Sequence, residues 1–104
     1  MKLPEEYIEY LQVGNPTFGF TDLELGGYFD LEPLDTLEKM NKDVEIGKYA
    51  PGFFAFASDG GGELLAFDND GKVYSVPLIG MDSKAAVLVA NSWSEYVSHI
   101  QDDA

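Results

Sequence analysis

Phe53-Phe54-Ala55-Phe56-Ala57-Ser58-Asp59-Gly60-Gly61-Gly62-Glu63-Leu64-Leu65-Ala66-Phe67-Asp68-Asn69-Asp70-Gly71-Lys72-Val73-Tyr74-Ser75-Val76-Pro77-Leu78 is the stretch that decides the fold. Phe53 to Ala57, Glu63 to Phe67 and Val73 to Leu78 are short runs of aromatic, branched and small apolar residues, the composition of strands. Gly60-Gly61-Gly62 breaks the chain between the first two. Asn69-Asp70-Gly71 breaks it between the next two, where Asp and Gly accept the positive φ that a tight hairpin demands. Ala85 to Ala90 is a fourth run of the same kind. The pattern predicts an antiparallel meander.

Downstream, Ser92-Trp93-Ser94-Glu95 fits a capping box, and Trp93, Tyr96, Val97 and Ile100 recur at i, i+3, i+4 and i+7. A C-terminal helix follows, with Trp93 docking it on the apolar face of the sheet. Upstream, Pro4 to Val13 reads as a short amphipathic helix on Tyr7, Ile8 and Leu11. Pro4 suits its first turn, Glu5 and Glu6 complement its dipole, and Gly14-Asn15-Pro16 stops it. Phe18 to Leu25 and Tyr28 to Leu31, parted by Gly26-Gly27, read as two short strands or an extended segment. Pro33 to Asp43 places Leu34, Leu37 and Met40 at spacings of three and predicts a middle helix. The expected fold is therefore α+β: one antiparallel sheet of about 4–6 strands, flanked by N-terminal, middle and C-terminal helices, in a single domain spanning 1–104.

The chain has 104 residues and a mass of 11.4 kDa, with 45% hydrophobic and 24% charged residues. A chain of that size exposes about 5,800 Å² when folded and hides roughly two thirds of its unfolded surface, enough for a core without covalent staples. Cysteine is absent, which removes disulfides, thiol nucleophiles and cysteine zinc sites together. Six scattered lysines stand against 19 acidic residues, for a net charge of −13, and arginine is absent. Nucleic-acid binding needs a basic patch, so it is excluded as an expectation, and so is recruitment to an anionic membrane surface. Met1-Lys2 leads straight into Leu3-Pro4-Glu5-Glu6 with no apolar run of signal-peptide length, and the sequence reads as soluble and cytoplasmic.

The chemical candidates are few. Gly60-Gly61-Gly62 has the backbone of an anion nest but lacks a following Lys, and Asp59 and Glu63 flank it with the wrong charge. Asp68, Asp70 and Gly71 echo a calcium loop with no glutamate in register to complete it. His99 is the single imidazole and falls at the edge of the last helix's apolar stripe, with no partners for a catalytic constellation. No Gly-x-Ser-x-Gly motif occurs. The residues point to no enzyme, no cofactor and no metal.

Taken in order, the segments resemble the SUKH superfamily, which includes the fungal Smi/Knr-type regulators and many bacterial toxin-immunity proteins. Leu3-Pro4-Glu5-Glu6-Tyr7 with Leu11, then Leu34, Leu37 and Asn41, then Phe56 to Glu63 carry the resemblance. Ala66-Phe67-Asp68, Gly71-Lys72-Val73-Tyr74, and Trp93 with Glu95 and Tyr96 complete it. Members often carry a further helix before the Leu-Pro pair, and more usually Phe where Trp93 stands. The resemblance implies a non-enzymatic protein-binding module. In its commonest bacterial setting such a domain is an immunity protein that neutralises a co-produced toxin, often a nuclease. The alternative is a regulatory or scaffold adaptor for a host protein.

A basic toxin would be drawn to a surface of charge −13. Asp59, Glu63, Asp68 and Asp70 lie at or beside predicted turns, where exposed side chains can gather on one edge, and they are the expected partner-binding rim. The first helix, with Glu5, Glu6 and Glu9, is the other acidic surface.

Overall fold

In a computed structural model describing residues 3–101, Glu5–Val13 forms helix α1, closed by Gly14 in the left-handed conformation at φ 88°. Six strands follow: β1 Phe18–Phe20, β2 Tyr28–Leu31, β3 Phe54–Ser58, β4 Glu63–Phe67, β5 Val73–Pro77 and β6 Val87–Ala90. They lie in sequence order in one sheet, every neighbouring pair antiparallel. The segment before the middle helix thus supplies two strands, and these join the same meander.

Alternation along the strands gives the sheet two apolar faces. On one, Phe29, Leu31, Phe56, Leu65, Phe67 and Val73 pack with α1 and with helix α4, Trp93–Val97. On the other, Ala55, Leu64, Ala66 and Val76 pack with Ile46 and Ala50. Trp93, 1% exposed, sits in an aromatic box. Its ring meets Tyr7 at 4.9 Å, Tyr10 at 5.1 Å and Phe56 at 5.6 Å edge-on, and stacks on Tyr96 at 5.4 Å. Burial first, and charge interaction with other acidic groups second, pushes the Tyr7 and Tyr96 hydroxyls well above their usual pKa, so both stay neutral at physiological pH. Tyr96 also donates a 2.7 Å hydrogen bond to the Gly26 carbonyl, and a Cβ at Gly26 would stand 3.2 Å from the Tyr96 ring.

Several elements differ from the expectation, among them the first strand, which ends at Phe20 and not at Leu25. The middle helix splits into a 3-10 turn, Leu34–Thr36, and helix α2, Leu37–Asp43. Thr36 makes the break: its hydroxyl bonds Glu32 and the Pro33 carbonyl, and such local bonds compete with a helical run. A short helix not expected from the sequence, α3 at Ile46–Tyr49, starts after Glu45 takes φ 55°, which turns Ile46 and Ala50 under the sheet's second face. The last helix ends at Val97 instead of continuing through Ile100. Ile100 bridges to Thr21, and the Gln101 N–H bonds Phe20 O at 2.7 Å, so Ile100 and Gln101 cover part of the β1 edge. The last strand likewise starts at Val87, because Asp82 accepts from Lys84 N and holds Ser83–Ala85 in a 3-10 turn.

Asn41 makes the contact that joins α2 to the sheet. β2 ends early, its last bond to β3 running from Glu32 N to Phe56 O, and β3 bulges between Ala55 and Ala57. Asn41, 8% exposed, occupies the vacated place: its side-chain oxygen accepts from Ala55 N at 2.7 Å, and its nitrogen donates to Ala55 O at 2.8 Å. The amide acts as the peptide unit of a missing strand.

Two stability predictions follow from these contacts. Trp93→Ala loses about 3–5 kcal/mol in denaturant unfolding, and a melting point within a few degrees of the parent would contradict the box. Asn41→Ala strands one buried N–H and one buried C=O of Ala55 and loses about 3 kcal/mol, whereas Asn41→Asp keeps only the acceptor and recovers part of that loss.

Candidate protein-binding site

α1, the Leu34–Thr36 turn and α2 stand apart along one side, and the gap between them is a groove of about 680 Å³. Its apolar lining is Leu3 and Ile8 from the α1 side, Leu34 and Leu37 opposite, and Phe54 of β3 beneath. Leu34 is 51% exposed, a large apolar side chain left in water. Glu5 and Glu9, one turn apart on α1, and Glu38 on α2 form the rim, and among the described residues no lysine lines it. Beyond Glu38 and Phe54 a second cavity of about 650 Å³ carries Lys42 and Lys48 alongside Glu38 and Glu45. The furrow is acidic at the α1 end and balanced in charge at the α3 end.

The sequence-predicted rim divides into two pairs at opposite ends of β4, about 13 Å apart along a five-residue strand. Asp59 and Glu63 lie at the β3–β4 turn. Asp59 Oδ1 accepts from Gly61 N at 2.7 Å and Glu63 N at 3.1 Å, filling with its own carboxylate the nest the three glycines make. Glu63 is half-buried and accepts from the Ser75 hydroxyl. Asp68 and Asp70 lie at the β4–β5 turn, where Asp68 Oδ1 accepts from Asp70 N and Lys72 N, both at 2.9 Å. The four carboxylates do not gather on one edge.

One of the pairs does reach the groove. Leu3, Pro4 and Glu5 share a small cavity of about 290 Å³ with Asn69, Asp70 and Gly71, and a Cβ at Gly71 would touch Pro4 at 3.5 Å. Asp70, exposed, therefore extends the acidic rim past Glu5. Glu6 behaves differently from its neighbours: its carboxylate accepts from Trp93 N at 3.2 Å and from the Ser94 hydroxyl, capping α4 across 87 residues. Ser92 supplies the local half of that cap through Glu95 N at 3.0 Å. His99, past the end of α4, pairs with Asp22 at 2.8 Å, far in sequence from any groove residue.

The groove residues Leu34, Leu37, Glu38 and Phe54 carried no sequence signal as a site, because Leu34 and Leu37 read as the apolar stripe of a helix. Only the exposure of Leu34 sets them apart, and exposure is a tertiary property. Among the described residues no group of three His, Asp or Glu side chains converges as a metal site, and no helix is long and apolar enough to cross a membrane.

An ordered six-stranded meander with helices before, within and after it, opened by Leu3-Pro4 and locked by Asn41, defines a known class of small α+β domain. The chain belongs to the SMI1 / KNR4 family (SUKH-1), which it matches over residues 1–99. A search of curated proteins finds no match to the chain.

Glu6→Ala, by stripping a helix cap, lowers stability by about 1–2 kcal/mol. Glu5→Gln and Glu9→Gln, which touch only the groove rim, change it by less than about 0.5 kcal/mol. Thermal melts of the three variants check this, and equal losses from all three would contradict the division of labour along α1.

Proposed function

We propose that this chain is a non-enzymatic immunity protein that binds and neutralises a co-produced toxin through the groove between α1 and α2. The observation that carries the reading is an exposed apolar groove whose charged rim, among the described residues, is Glu5, Glu9 and Glu38. Membership of a family known for toxin-immunity roles supports it. A basic partner gains twice from such a site. Its apolar residues leave water on Ile8, Leu34, Leu37 and Phe54, and its cations meet Glu5, Glu9, Glu38 and Asp70 at the perimeter, where charge governs encounter more than residence. A standard interface of about 800 Å² per partner leaves room around the groove for both.

Asp59, Glu63, Asp68 and Asp70 act as steering charges in this scheme. Asp70 lies on the contact rim with Asp68 behind it, and Asp59 and Glu63 contribute from the far end of the sheet through the molecule's overall field.

Two measurements test the proposal. The toxic domain encoded beside this chain, expressed alone, kills the host, co-expression of the chain protects it, and Leu34→Asp removes protection while the variant stays folded. A neighbouring reading frame without toxicity, or full protection by Leu34→Asp, contradicts the reading and favours an adaptor for a host protein. In stopped-flow kinetics, changing Asp59, Asp68 and Asp70 to Asn and Glu63 to Gln slows association about threefold or more at low salt and flattens its salt dependence. Asn keeps the oxygen acceptor that each turn uses, so folding is retained. An unchanged association rate would remove these four from any steering role.

A further inference from the structure

The walls of the groove restrict what can lie in it. Between their ends α1 and α2 satisfy their backbone N–H and C=O groups internally, so the sides of neither wall offer main-chain hydrogen bonds to an occupant. The floor offers none either: Phe54 belongs to a strand paired with β4 on one side, and on the other Asn41 takes both peptide groups of Ala55. An extended segment pressed into this groove loses water from its peptide groups and gains no partner for them along its length, which is unfavourable for each group stranded. A helix satisfies its own peptide groups and presents only side chains. The apolar lining and the acidic rim then specify those side chains.

Resting on the reading of this groove as the contact surface, we propose that its occupant is an amphipathic helix of the partner protein. The helix lays an apolar stripe at i, i+3 or i+4, and i+7 on Ile8, Leu34 and Phe54. Lys or Arg flank that stripe, concentrated toward the α1 end, where they meet Glu5 and Glu9. Toward α3, Lys42 and Lys48 balance the glutamates, so the occupant's other end carries no such excess of cations. α1 spans nine residues, about 13 Å, so two to three turns of the occupant are in contact.

The test needs no knowledge of the partner. Random peptides of about 16 residues, a little over four turns, are displayed on phage and selected against the full-length chain and, in parallel, against its Leu34→Asp variant. The expected result is enrichment on the parent chain alone of sequences with helical apolar spacing and flanking Lys or Arg. The synthesised winners gain helical circular dichroism on binding and lose at least about tenfold in affinity to Glu5→Gln/Glu9→Gln at low salt. Winners that contain central prolines, remain extended when bound, or bind Leu34→Asp equally overturn the proposal, as does a lack of any enrichment over that variant. The two readings fail separately. Helical winners without protection from the toxin overturn the immunity role alone, and protection lost in Leu34→Asp without helical winners overturns the helix alone.

Discussion

The side-chain amide of Asn41 replaces one peptide unit of a strand, and the shape of the groove depends on that substitution. β2 runs out before β3 begins its pairing with α2's side of the molecule, which leaves the Ala55 N–H and C=O facing a helix instead of a strand. Asn41 takes both, and its nitrogen also reaches the Leu37 carbonyl at 2.9 Å, so helix and strand are held at one distance. Leu37 then forms a wall and Phe54 a floor. The opposite wall is held in the same manner from another direction, because Glu6 ties α1 to the start of α4 and Tyr7 and Tyr10 pack on Trp93. Two helices pinned separately to one sheet do not close on each other, and the space between them persists.

Net charge describes this molecule poorly until the carboxylates are sorted by what they touch. Asp59 and Asp68 serve as turn acceptors, Asp82 holds a 3-10 turn, Glu6 caps a helix, and Asp43 pairs with Lys39 at 2.7 Å. Glu5, Glu9, Glu38 and Asp70 line cavities and are exposed. They border one continuous region running from the β4–β5 turn along α1 to α2. A charge of −13 spread evenly would give a field without direction, whereas exposed carboxylates gathered along one region give it a direction.

The sequence showed the meander clearly because its strands are set by local signals: Asn69-Asp70-Gly71 and the three glycines fix two turns, and the runs they separate are nearly continuous in apolar residues, as strands covered on both faces are. Trp93 was legible for the same reason, with its cap and its spacing inside the nine residues from Ser92 to Ile100. What could not be read depends on distant segments. The break at Thr36 comes from a hydroxyl choosing local acceptors, and α3 is a single turn, too short for periodicity to register. The groove unites residues near 5, 36 and 54, each of which looks like ordinary core or ordinary surface in its own segment. The acidic turns were visible as exposed charge, but their placement at opposite ends of β4 follows from sheet geometry, and only the Asp70 end meets α1.

Amide and methyl chemical-shift mapping of the labelled chain with the proposed toxin domain tests whether the partner is held between α1 and α2. The predicted result is a set of perturbations concentrated at Ile8, Leu34, Leu37, Glu38 and Phe54, thinning toward Asp70 and vanishing at Asp59. Perturbations centred instead on the exposed rings of Phe18 and Phe20, on the opposite face of the β1 end, with the groove resonances unmoved, would contradict it.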